Sequence, residues 1–521
     1  MVDLRRQLPQ SGRPLSAVLS LAAVLGVVWL LGNAIAAEAA RGVILLVAVI
    51  AAVIVAAKTV NDWRGGIYFF LTWLVCEDLV RKYMGNNMYV YFAKDVLAAI
   101  MYVSFLTDRS RGKALGFRSP FLRAFGFFFL LCLAQIANPN SPSILYGLLG
   151  LKLYFYYVPM VFLGYALIRS QRELSRFLAF NVALAALVAL VGIIQALGWK
   201  NFLNPQTLAP ELETLGHLTR TSPLTGLEVP VPPSVFVSAG RFDSYLVLAF
   251  ILALGAASYE LVRPQRRGKF IFPALGIVGA AGLLSGSRSA LVYPVASALV
   301  LVGAMALQAR HLHLQRQLLK GIRWSFAALC LSIVAVFFVF PRAGGASWSY
   351  SYETLYSEGS EYRSDLLYRA WDYPMGFLSM ALDSPNWATG SGTGTGSLGV
   401  QYVSKLVGIP YQGWIHENGF ATLIEELGVL GPILWVIWSA VLVFSAWRVV
   451  ARLRGAEVFP VALAILWFAW LVLFWYTWGG IQGYQNFINN AYLWLLLGVL
   501  FGLPRLTGQG PSTGVPAADS R

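Results

Sequence analysis

Residues 177–197 read FLAFNVALAALVALVGIIQAL, a stretch with no charged side chain and only Asn181 and Gln195 polar. A helix rises 1.5 Å per residue, so about 20 such residues cross the roughly 30 Å hydrocarbon core of a bilayer. Arg169, Arg172 and Arg176 precede the stretch and Lys200 follows it. Working outward, apolar runs of the same kind recur at 15–37, 42–57, 66–80, 88–106, 121–137, 152–168, 242–262, 270–285, 288–307, 323–340, 419–447, 457–477 and 487–503. The weakest is 66–80, whose last turn holds Glu77 and Asp78. Over its 521 residues the chain is 58% apolar and only 12% charged, against roughly 25% charged for a soluble domain. A soluble enzyme is excluded, and so is a peripheral protein with one anchor. The runs are continuous rather than alternating, which excludes a membrane β-barrel. The expected fold is an all-α polytopic membrane protein with about fourteen transmembrane helices.

The net charge of +15 is unevenly spread. Roughly two thirds of the 39 Lys and Arg residues fall in one set of alternate loops, and the positive-inside rule makes that side cytoplasmic. Both termini lie on it. The charge is therefore topogenic, and nucleic acid is not expected as a partner. Arg5 and Arg6, with Ala34-Ile35-Ala36 further on, resemble a signal peptide. The apolar stretch between them exceeds the usual 7–15 residues of a signal core, which favours an uncleaved anchor. The resulting plan has transmembrane helices 1–11 in residues 1–340, with an external loop at 198–241. A large external loop region with short helices follows at 341–418, then helices 12–14 at 419–503 and a disordered cytoplasmic tail at 504–521. Cys76, Cys132 and Cys330 sit inside apolar runs, so they form neither a disulfide framework nor a metal site. No carboxylate pair or His/Cys cluster has metal-ligand spacing, so neither metal nor cofactor is expected.

Polar groups in such a chain are few, and their positions carry the functional reading. Arg220, Arg241, Arg288 and Arg369 stand on the external side at or beside a span end or loop helix, against the charge rule. Arg288 lies in Ser285-Gly286-Ser287-Arg288-Ser289, which reads as a hairpin tip between two spans. Guanidinium groups hold phosphate oxygens bidentately, so converging arginines at the membrane surface suit a lipid-linked diphosphate; the bland alternative is snorkelling to head groups. His416-Glu417-Asn418 precedes Glu425-Glu426-Leu427-Gly428, and either His416 or Glu417 has the chemistry of a general base toward a hydroxyl. The alternative there is a helix cap, with Glu425 and Glu426 complementing arginines. Gly390-Ser391-Gly392-Thr393-Gly394-Thr395-Gly396 has the look of a phosphate cradle but lacks the following Gly-Lys-Ser/Thr, and reads as a flexible loop. Lys94-Asp95, with Glu77 and Asp78 nearby, reads as a structural buried pair or a proton relay. The aromatic residues crowding the second external loop, Trp371 and Trp387 among them, fit an interfacial belt or sugar-stacking faces.

Taken in order, these segments resemble the O-antigen ligase and O-antigen polymerase superfamily of bacterial inner-membrane glycosyltransferases. The resemblance rests on Ser285 to Leu291, on Arg241-Phe242 at a span start, and on the progression from Arg369 through Trp371, Pro385, Gly394, Gly396, His416, Glu426 and Gly428 to Gly431. It covers the chain from about residue 235 onward. Counted back from Glu426 and Gly428, the family's histidine falls on Glu417 and its asparagine on Asn418, so His416 stands one residue early. The resemblance implies a GT-C-like fold in the bacterial inner membrane with its active site at the periplasmic face. It further implies metal-independent, inverting transfer of an undecaprenyl-diphosphate-linked glycan to an acceptor sugar hydroxyl. Arg220, Arg241, Arg288 and Arg369 would hold the diphosphate, and His416 or Glu417 would act as base. Implied partners are the lipid-linked donor, a saccharide acceptor, membrane lipids and a chain-length regulator protein. A polysaccharide polymerase is favoured; the alternatives are an O-antigen ligase acting on lipid A-core and a lipid-linked-sugar flippase.

Overall fold

A computed structural model describes residues 51–108 (52 and 86 excepted), 121–205, 219–221, 226, 228–263, 268–309, 334, 338, 345–350, 368–409 and 417–507. The expected span 15–37, most of 42–57 and 323–340, His416 and most of the tail lie outside them. The described chain is almost entirely helical: α1 Trp63–Tyr83, α2 Met88–Thr107, α3 Leu122–Ala134, α4 Ile144–Phe155, α5 Met160–Leu167 and α6 Gln171–Ala196. A two-stranded antiparallel hairpin, β1 Thr219–Thr221 with β2 Glu228–Pro230, interrupts them. Then come α7 Ala239–Val262, α8 Ile271–Leu284, α9 Arg288–Ala309, α10 Tyr373–Leu382, α11 Val400–Val407, α12 Gly419–Leu427, α13 Leu430–Arg452, α14 Phe459–Trp470 and α15 Phe487–Gly502.

Among the described residues, eight segments are long and apolar enough to cross a membrane: Tyr89–Thr107, Ile144–Leu167, Gln171–Ala196, Ala239–Val262, Arg288–Leu307, Leu430–Arg452, Phe459–Gly479 and Phe487–Thr507. Two further expected spans form shorter apolar helices, Leu122–Ala137 and Ile271–Leu284. The weak run at 66–80 is the helix α1, too charged to rank with the eight.

One expected span divides. The run 419–447 breaks at Gly428, whose φ of +70 and ψ of −173 only glycine adopts without strain. A Cβ there would fall on the carbonyl oxygen of Ala388. The capped helix α12 therefore turns away from the membrane-length helix α13.

The core follows from which helices are apolar all round. α7 is buried along its whole spanning length, and α15 is buried on every side between Phe487 and Gly502. α15 crosses α5 where Gly498 and Gly164 face the partner backbone; small residues permit such close helix contact. α9 and α13 instead leave Leu299, Leu307, Ile433 and Phe444 exposed, as helices on the lipid side do.

Candidate functional site

The sequence's polar candidates gather at one end of the bundle, the end that the charge asymmetry assigns to the outside. They form three groups.

The first is the hairpin between α8 and α9. Gly286 at its tip has φ +62, and a Cβ there would lie 2.8 Å from the Pro230 carbonyl oxygen, so β2 rests on this turn. Arg220, on β1, donates from Nη1 to the Gly286 carbonyl at 3.5 Å, which brings Arg220 to the Arg288 turn. Asp243 of α7 is buried on the side of the helix that faces this group. Below the hairpin runs a small apolar groove lined by Leu246, Phe250, Gly282, Leu283, Ala290 and Pro294, among others. Asp243, Leu246 and Phe250 recur at helical spacing, so one stripe of α7 is polar at the hairpin and apolar beneath it.

The second group lies on the other side of α7. Residues 241 and 243 differ by about 200° around a helix, and Arg241 turns to Asp78 of α1, with Nη1 at 2.8 and 2.7 Å from the two carboxylate oxygens. Arg241 and the hairpin thus serve opposite faces of α7 rather than the single point the sequence suggested. Asp78 also accepts from Arg81 at 3.0 Å. Lys94 pairs not with its neighbour Asp95 but with Glu77 at 3.0 Å. Asp95 pairs with Lys152 at 2.5 Å and accepts from Tyr157 Oη at 2.9 Å. The expected buried pairing exists, with partners exchanged across helices.

The third group surrounds Glu417. Asn418 caps α12: its Oδ1 accepts from the amides of Phe420 (2.8 Å) and Ala421 (3.1 Å), and its Nδ2 donates to Pro374 O at 2.8 Å. Glu417, just outside the cap, is exposed. The N-terminus of α12 rests on the turn after α14, where a Cβ on Gly419 would meet Thr477 O at 2.5 Å. From that turn Trp478 Nε1 donates to Ala370 O at 2.8 Å. Arg369 belongs to the same wide turn, Tyr368–Asp372, so its backbone lies close to that of Glu417. Trp371 lies 5.3 Å from Trp478 with the ring planes tilted and is 62% exposed, an open aromatic face on the same turn as Arg369.

The glycine-rich stretch is corrected. It is a packed connector rather than a flexible loop. Ser391 N and Gly392 N donate to Glu425 O (2.7 Å) and Glu426 O (3.0 Å), while Thr393 Oγ1 donates to Cys132 O at 2.7 Å. Its glycines serve close approach: Gly390, Gly392 and Gly394 have positive φ and are buried. Glu426 also departs from the expected arginine pairing. Its carboxylate accepts from Ser397 Oγ (2.7 Å), Gly396 N (3.1 Å) and Tyr154 Oη (2.9 Å). Burial pushes its pKa up to about 7, although these donors, Ser397 foremost, act to lower it.

Sequence reasoning passed over Arg81, Lys82, Lys152 and Asp243. Each is a charged residue on a largely apolar helix, the signal that ordinarily marks a functional position in a membrane protein. Among the described residues no group of three or more His, Cys, Asp or Glu stands ready for a metal. Comparison with protein-family models, curated proteins and solved structures finds no match to this chain.

Proposed function

We propose that the protein is a membrane glycosyltransferase, a polysaccharide polymerase that moves a polyprenyl-diphosphate-linked glycan onto a sugar hydroxyl at the periplasmic face. The observation that carries this reading is the turn at 475–480. Tyr293 of α9, just over one turn below Arg288, accepts from Trp475 Nε1 at 3.1 Å and meets the Tyr476 ring at 5.2 Å. Three residues on, Trp478 holds the Arg369 turn, and Thr477 supports the capped start of α12. One turn thus ties together three segments far apart in sequence: the arginine hairpin, the Arg369 turn and the Asn418 cap that follows Glu417.

The chemistry follows from these parts. Arg288 and Arg220 at the hairpin suit the diphosphate, whose charge grows as the glycosidic bond to it breaks. The apolar groove below suits the lipid tail. Trp371 offers a face for a sugar ring, and His416 or Glu417 takes the proton of the attacking hydroxyl.

The test is to incubate purified protein in liposomes with a lipid-linked oligosaccharide. Growth of the glycan supports the polymerase; transfer only to an added lipid A-core supports the ligase; neither, with the lipid moved between leaflets, refutes both. His416→Ala is expected to lose turnover by roughly a hundredfold or more, and Glu417→Gln far less. The reverse order assigns the base to Glu417.

A further inference from the structure

The lipid-side stripe of α13 changes character over its last turns, at the end of that helix remote from the candidate groups. Leu430, Ile433 and Ile437 are exposed along the stripe, while Trp435, Trp438 and Leu442 face the core. The stripe closes on Phe444 and Trp447, 54% and 44% exposed, and on the exposed Arg448, Arg452 and Arg454. At 1.5 Å per residue, Arg448 stands about 27 Å along the axis from Leu430, close to the thickness of a bilayer's hydrocarbon core. That length sets the arginines at the depth of the lipid head groups, on the side that the charge asymmetry assigns to the inside.

Two of the guanidinium groups are placed by the rings. Arg448 lies over Phe444, four residues back on the same row, with Cζ 4.4 Å from the ring centre. Arg454 belongs to the turn after the helix, yet it reaches back over Trp447 at 5.6 Å. Snorkelling carries an arginine outward into water; these two fold back along the lipid-facing side instead. A ring face attracts a cation without neutralising it. Among the described residues no carboxylate pairs with Arg448, Arg452 or Arg454. Arg452, in the last turn, complements the negative end of the helix. Arg448 and Arg454 face the lipid with their charge unmet.

We propose that this end of α13 binds an anionic phospholipid, with Arg448 and Arg454 on its phosphodiester oxygens and Phe444 and Trp447 against its upper acyl carbons. Guanidinium forks suit phosphate oxygens. At this depth, beside a lipid-facing stripe, the phosphate within reach is that of a lipid. A zwitterionic lipid offsets its phosphate with its own ammonium, so a head group of net negative charge is selected. Neither the arginine hairpin nor glycan transfer enters this claim, so a protein inactive in transfer tests it equally well.

The test is native mass spectrometry of the full-length protein in detergent, titrated with phosphatidylglycerol or with phosphatidylcholine of the same acyl chains. Wild type is expected to bind phosphatidylglycerol roughly tenfold more tightly. The double variant Arg448→Gln, Arg454→Gln should lose that preference and keep its binding of phosphatidylcholine, which also reports an intact fold. Phe444→Leu with Trp447→Leu keeps the apolar face, removes the rings and should weaken phosphatidylglycerol binding about threefold. Arg172→Gln with Arg176→Gln removes two exposed arginines of α6 on the same side and should cost less than about twofold, as diffuse surface attraction does. An equal loss in that control, equal binding of the two lipids by wild type, or an undiminished preference in the Arg448, Arg454 variant overturns the site. Displacement of phosphatidylglycerol by equimolar inorganic phosphate would mark a soluble ligand and overturns it as well.

Discussion

Glu426 makes the stability of this protein depend on pH in a direction opposite to the usual carboxylate. Its pKa rises from the ordinary 4.5 to about 7, because burial, with no cation beside it among the described residues, disfavours the charged form. Below pH 4.5 the carboxyl is protonated in both folded and unfolded chains, and the group contributes nothing to the difference in stability. Between 4.5 and 7 the folded state holds more protons than the unfolded one, so stability falls as pH rises. Above 7 both states are ionised and the full cost is present. At 1.36 kcal/mol per pKa unit this amounts to about 3 kcal/mol. Glu426→Gln is neutral throughout and keeps groups able to bond Ser397, Gly396 and Tyr154. Thermal unfolding of detergent-solubilised protein, followed by tryptophan fluorescence from pH 5 to 8, should show the wild type losing a few degrees more than Glu426→Gln. Other titrating groups cancel in that difference. Parallel curves for the two proteins would refute the assignment of a raised, uncompensated carboxyl.

Gly428→Ala places a methyl on the Ala388 carbonyl at a backbone conformation reserved for glycine, and should destabilise by about 2–5 kcal/mol. Fluorescence-detected size-exclusion chromatography checks this as a loss of monodisperse protein; an unchanged profile would mean that α12 and α13 do not part there. The charge asymmetry predicts that the region 341–418 is periplasmic. A cysteine replacing Ser360, with Cys76, Cys132 and Cys330 removed, should react with an impermeant thiol reagent in intact spheroplasts, and labelling only after lysis would reverse the topology.

That the chain is helical and suited to a bilayer is legible from its residues alone, because apolar length is a local property and needs no partner to be read. The sequence also marked the 285–289 turn and left a helix cap open as one of two readings of the stretch from His416 to Glu426, since tight turns and capping depend on a few neighbouring residues. It read 419–447 as one helix because hydropathy does not register a backbone angle at Gly428. The glycines of 390–396 looked flexible in isolation and are fixed by groups from the α3–α4 connection, α4 and α12 closing around them. Partner choice was likewise invisible: Lys94 is adjacent to Asp95 in sequence, yet a helix turns neighbours about 100° apart, and α1 supplies Glu77 instead. The same rotation separates Arg241 from Asp243. Which arginine faces which site was therefore decided by the packing of α7 against α1 on one side and the α8–α9 hairpin on the other.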